Sequence, residues 1–215
     1  IRRFLTFRNA GRCVIGAWDH GAMRHASPFA APGEAVSPSY TQQFAEMLQV
    51  FDAFLKDVPN GVREEHALYY YTMGEERWKV TSTWLPQGVH HQRWYFSAGN
   101  QLGLQLPGDE TGMDSYRVDF SVSSGNYNRW WEMGIMDKRS VEYPDRSELA
   151  GKVLSYTSAP LERDIEITGH PVINLYAASS EADTAFYVYL EDVAPDGRVT
   201  YITEGLLRSI HRKIS

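Results

Sequence analysis

The residues of this chain best suited to chemistry are its seven histidines and a surplus of carboxylates. His20 leads them. It follows the apolar run at 12–17 through Trp18-Asp19, at the point where that run gives way to an irregular loop. In α/β enzymes, reactive side chains gather outside the carboxyl ends of strands. An imidazole there can take a proton from a nucleophilic hydroxyl and return it to a leaving group. The same place also suits a structural or surface histidine, and local context alone does not choose between the two. Asp19 is adjacent in sequence, but adjacency does not aim a carboxylate at the neighbouring ring, so a charge partner for His20 is expected from elsewhere. Trp18 and Cys13 read as packing residues.

His25, His66, His90, His91, His170 and His211 form no His-Glu-x-x-His motif, and no metal or cofactor is expected. Asp109-Glu110, Glu181, Asp183, Glu191 and Asp192 supply carboxylates, but nothing in their order pairs two of them at glycosidase separation. The sequence contains neither a Gly-rich phosphate-binding motif nor a Gly-x-Ser-x-Gly elbow. It therefore holds no complete nucleophilic site. Trp78, Trp84, Trp94, Trp130 and Trp131 would pack a core or seam, or contact a ligand.

Several elements must position these groups. Residues 12–17 predict a short buried strand, followed by a loop rich in Ala, Pro and Gly. Tyr40, Phe44, Met47, Leu48, Phe51, Phe54 and Leu55 recur at three- and four-residue spacing, which predicts an amphipathic helix. Ser39 and Gln42 have capping-box spacing, while Pro38 offers a competing first helical position. Asp57-Val58-Pro59-Asn60-Gly61 stops the helix and marks the domain break, giving domains 1–62 and 63–215.

Beyond it the pattern turns to β. Strands are expected at 66–71, 94–96, 102–106, 116–122, 152–157, 164–168, 172–177, 184–190 and 199–203, the last two flanking a Pro195-Asp196-Gly197 turn. Many short strands without long helices between them predict a mainly β chain, with an antiparallel sandwich after residue 62.

Composition narrows the function classes. The 215 residues carry 21 Lys and Arg against 27 Asp and Glu, a net charge of −6, which argues against a nucleic-acid binder working through bulk electrostatics. No apolar stretch approaches the roughly 20 residues of a membrane span. Cys13 is the only cysteine, which excludes an intrachain disulfide and fits the cytosol without excluding export.

Together the segments resemble one family. Val14-Ile15-Gly16-Ala17-Trp18-Asp19-His20-Gly21 is similar to the strand and histidine loop closing an α/β-hydrolase domain. Tyr70-Tyr71-Thr72-Met73-Gly74, Trp78 and Trp84-Leu85-Pro86 resemble the entry into the domain that follows, and Trp94-Tyr95-Phe96-Ser97 its next strand. The stretches 160–169, 180–186 and 192–197 continue the match in order. The family is the CocE/NonD hydrolases, which include cocaine esterase, α-amino acid ester hydrolases and X-Pro dipeptidyl-peptidases.

The resemblance implies a serine acyl hydrolase acting on a small ester or peptide, with His20 as the base of a Ser-Asp-His triad. It also implies a galactose-binding-like jelly roll from residue 63. Both chain ends then read as cut. The serine and aspartate are expected from a preceding hydrolase portion, the isolated chain is expected to be inactive, and association with further copies is plausible. The competing reading is a noncatalytic β-sandwich module that binds carbohydrate or another protein.

Overall fold

A computed structural model describes residues 1–7, 9, 11–108, 112–130 and 140–212. The described residues divide into two compact units. One comprises Ile1–Gln92, Gly125–Glu142 and Asp164–Gly169, and the other Arg93–Ser124, Tyr143–Arg163 and His170–Ser215. The chain is mainly β with few helices.

The first unit opens with a short helix, α1 (Arg2–Thr6), and β1 (Gly11–Ile15). Helix α2 (Tyr40–Lys56) leads to β2 (His66–Thr72) and β3 (Arg77–Thr81). β1 and β2 pair in parallel, from Gly11 opposite His66 to Ile15 opposite Tyr70, and β3 continues the sheet antiparallel to β2. A parallel pair cannot be closed by a tight turn and needs a crossover, which α2 provides. The sequence pattern had indicated antiparallel pairing only after residue 62. This parallel ladder instead joins strands on either side of that position, because α2 lies between them and returns the chain in the original direction.

Helix α2 begins where Ser39 can close a capping box. The Ser39 Oγ accepts from the Gln42 N–H at 3.4 Å, and the Gln42 Oε1 accepts from the Ser39 N–H at 2.7 Å. Pro38 therefore precedes the cap rather than occupying the first turn. At the other end Asp57 turns left-handed, and the Arg63 guanidinium donates to the Ala53 carbonyl, one of those a helix end leaves unpaired, while the Asn60 amide donates to the Gln49 carbonyl further back in the helix. Arg12 ties β1 to both flanking segments, donating to Glu65 at 2.7 Å and pairing with Glu46 of α2. Ala26, Ala53, Val62 and Leu68 are the buried apolar residues of this unit, whereas Phe44, Met47, Leu48, Phe51, Phe54 and Leu55 of α2 are exposed.

The second unit holds β4 (Tyr95–Ser97) and β5 (Gln101–Gly103), an antiparallel pair, with β6 (Thr157–Ser158) parallel to β5; the antiparallel pairing expected after residue 62 fails here, because β6 arrives from more than fifty residues on and not through a tight turn. β7 (Ala185–Val193) and β8 (Val199–Arg208) form a long hairpin whose register shifts between Leu190 and Glu191. Its Pro195-Asp196-Gly197 turn closes as expected, with Gly197 at φ 89° and its N–H donating to Ala194. Tyr201 is buried there. Arg146, only 5% exposed, lies over the Tyr189 ring at 4.6 Å and donates to Glu191 and the Ser123 carbonyl.

Several expected strands are absent. Residues 116–122, 164–168 and 172–177 form no ladder, Leu104 and Leu106 lie beyond β5, and 152–157 contributes only its last residue to a strand. Alternation marks a segment able to pair, but a strand also needs a partner backbone to exchange hydrogen bonds with. Conversely the structure adds β3, which is not among the expected strands, although Gly74 followed by the alternation of Arg77 to Thr81 signals a hairpin. Among the described residues no helix is long and apolar enough to cross a membrane.

Candidate active site

Past the end of β1 the chain folds back on itself as a narrow ribbon. Trp18 bridges His25 antiparallel, the Ala26 N–H donates to the Ala17 carbonyl at 2.8 Å, and the Asp19 N–H donates to the Arg24 carbonyl at 3.1 Å. The tip is a turn in which the Ala22 N–H returns to the Asp19 carbonyl at 3.0 Å, leaving His20 and Gly21 at its two central positions. His20 is therefore displayed at the apex. Its imidazole is exposed and has no hydrogen-bond partner among the described residues.

Asp19 does something different from its neighbour. It is 7% exposed, and its Oδ1 accepts from the backbone N–H groups of Met23 and Arg24 at 2.9 and 3.2 Å. The Arg24 guanidinium stands 3.8 Å from the second oxygen. A carboxylate bonded in this way closes the loop from within and is not directed at His20. From α2, the Gln43 amide donates to the Ala22 carbonyl at 2.8 Å and to Pro38 at 3.0 Å, holding the turn from outside. The Trp18 indole N–H donates to Ser37. Gln43 carried no signal as a support residue, since a glutamine on a polar helix face is ordinary.

The stem of the ribbon rests on the β2–β3 hairpin. The His25 side chain is 6% exposed, packs edge-on against Tyr71 with ring centroids 5.4 Å apart, and places its Nε2 3.3 Å from the Tyr71 hydroxyl. Its Nδ1 accepts from the Ser27 N–H at 3.1 Å. Glu76 receives the Ser27 hydroxyl at 2.6 Å, the Gly74 N–H at 2.8 Å and the Tyr71 hydroxyl at 2.9 Å. Burial pushes the Glu76 carboxyl up, but the hydrogen bonds from Ser27, Gly74 and Tyr71 outweigh it, holding Glu76 below the usual glutamate value. Burial, then the bond to Glu76, raises the Tyr71 phenol well above its ordinary range.

His66 stacks on Phe4 at 4.1 Å, and His90 and His91 are exposed. Among the described residues no three His, Cys, Asp or Glu side chains gather to hold a metal. Trp78 packs against Trp18 and Tyr71, and Trp84 against Tyr70. Asn128 is buried and bonds to the backbone of Gly125 and Trp130, while Trp130 is 55% exposed beside Arg129. Trp131, Asp109 and Glu110 lie outside the described residues.

The family model described as the X-Pro dipeptidyl-peptidase C-terminal non-catalytic domain matches residues 60–215. The chain belongs to that family. It is also similar over its whole length to members of the CocE/NonD group. It is 40% identical over 217 residues to proteins named "Putative serine esterase" in Mycobacterium bovis and Mycobacterium tuberculosis, a match covering 100% of this chain and 33% of each relative. It is 24% identical over 229 residues to the cocaine esterase of a Rhodococcus species, covering 99% of this chain and 39% of that protein. The chain thus spans about a third of the length of the mycobacterial relatives. An aminopeptidase from a marine sediment archaeon, of the Thaumarchaeota, shares the fold with a TM-score of 0.66 at 21% identity, over 93% of this chain and 35% of that one.

Proposed function

We propose that this chain is the part of a serine acyl hydrolase that supplies the triad base, His20, and the C-terminal sandwich domain. The observation that carries the reading is the position of His20, which is solvent-facing at the tip of a braced turn directly after the first strand of a β–α–β unit. Similarity along the whole of this chain to about a third of the length of proteins named as esterases gives that position its chemical meaning.

In this reading the nucleophilic serine and the carboxylate that orients His20 come from polypeptide outside these 215 residues. His20 takes the serine proton as the Oγ–C bond forms, backbone N–H groups stabilise the oxyanion, and the imidazole returns the proton to the departing alcohol or amine. Water then repeats the sequence on the acyl-enzyme, with His20 accepting its proton. The substrate is a small ester or peptide. Domain 63–215 is the jelly-roll sandwich, its start supported by the helix stop at Asp57 and a family match beginning at residue 60. Contacts nevertheless group the first hairpin of that region with the histidine unit.

The test uses the natural gene product, p-nitrophenyl esters and a fluorophosphonate probe. His20→Ala is expected to lower kcat by about a thousandfold, within the range for loss of a general base, and to abolish labelling. Undiminished hydrolysis by a folded His20→Ala protein overturns the reading. The 215 residues alone are expected to hydrolyse nothing.

A further inference from the structure

We infer that Glu76, in the hairpin of the region matched to a non-catalytic domain, is a positioning residue for His20; the inference rests on the reading of His20 as the catalytic base. The connection runs through the ribbon. His20 occupies a tip with no side-chain partner among the described residues, so its place is set by the stem that carries it and by the Gln43 bond to the turn. That stem is anchored by side chains at His25 and Ser27, and both meet Glu76.

The Ser27 hydroxyl and Gly74 N–H converge on Oε1, at 2.6 and 2.8 Å. The Tyr71 hydroxyl reaches Oε2 at 2.9 Å, and the His25 Nε2 stands 3.6 Å from the same oxygen. Since the His25 Nδ1 accepts from the Ser27 N–H, the proton of the neutral ring is on Nε2 and faces Tyr71 and Glu76. As placed, the carboxylate accepts on both of its oxygens. A glutamine would turn an NH₂ toward one pair of donors.

The backbone adds an independent sign. Glu76 sits at φ 53°, in the left-handed region where a side chain is disfavoured and glycine or asparagine is easier. A glutamate at such a turn is explained by what its carboxylate holds. The side chain is also three-quarters buried against the same groups, so it acts as an internal brace. A displacement of the tip by about 1 Å is enough to cost two orders of magnitude in rate when a base must meet a hydroxyl.

The experiment compares Glu76→Gln, Tyr71→Phe and His20→Ala in the natural gene product, reading kcat and KM for a p-nitrophenyl ester, the rate of fluorophosphonate labelling, and near-UV circular dichroism. Glu76→Gln is expected to lower kcat and the labelling rate together by tenfold or more with KM within twofold. Tyr71→Phe, which removes one donor, should lower both about threefold in the same manner. A folded Glu76→Gln protein with kcat within twofold of the parent, or a loss carried by KM alone, overturns the inference while His20→Ala still reports on the parent reading. Should Glu76→Gln fail to fold, Tyr71→Phe decides by the same criteria. Full activity in His20→Ala removes both.

Discussion

Asp19 and His20 are neighbours with opposite duties. The carboxylate is buried and spends its lone pairs on the backbone of its own loop, and the imidazole is left bare. Close packing at the root of the same ribbon is equally specific. A Cβ built on Gly16 would lie 2.2 Å from the Trp18 ring, which is itself packed on Trp78. Gly16→Ala is therefore expected to destabilise the protein by about 2–3 kcal/mol, the upper part of the range for an overfilled site, measured by urea unfolding. An unchanged midpoint would mean that the indole moves aside freely. Gly16 was legible only as part of an apolar run. The reason for a glycine there is how the Trp18 ring lies back over it, which the residue types alone do not state.

At the scale of elements, α2 does two jobs. It is the crossover that lets β1 and β2 run parallel, and through Gln43 it reaches the carbonyl of Ala22 in the histidine turn. Its start was readable from Ser39 and Gln42, and its stop from Asp57 to Gly61, because caps and breakers act within a few residues. Ser39→Ala removes the side-chain acceptor for the Gln42 N–H, so it is expected to cost about 1 kcal/mol in the same unfolding assay. A loss near zero would mean that Pro38 and Gln43 fix the helix start without the cap. The β elements were less legible. The 66–71 and 184–203 strands appear close to their expected places, whereas 116–122 and 172–177 do not pair. The difference is whether a second backbone lies alongside, which one segment's residues do not state.

For the whole molecule, one feature among the described residues that calls for a cover is the apolar face of α2, with Phe51 53% and Leu55 75% exposed. An amphipathic helix of this kind gains its stability by burying such a face. Under the proposed function its cover is the hydrolase segment that also brings the serine. Phe51→Asp in the natural gene product is then expected to cost about 2–3 kcal/mol or more, to raise binding of a hydrophobic dye, and to lower ester hydrolysis. A variant indistinguishable from the parent in all three would show that this face is not covered by polypeptide.

The sequence by itself determined the mainly β character, the helix and its ends, the family, and the candidacy of His20. These follow from local periodicity, capping chemistry and motif order. Tertiary structure decided that α2 bridges a parallel pair, that Asp19 closes the loop instead of facing His20, and that Glu76 gathers Ser27, Tyr71 and His25 beneath the histidine turn. Glu76 lies 49 residues from Ser27, and nothing in either neighbourhood announces the other. Such contacts depend on how strands are placed side by side, and that is settled by hydrogen-bond partners and packing far along the chain.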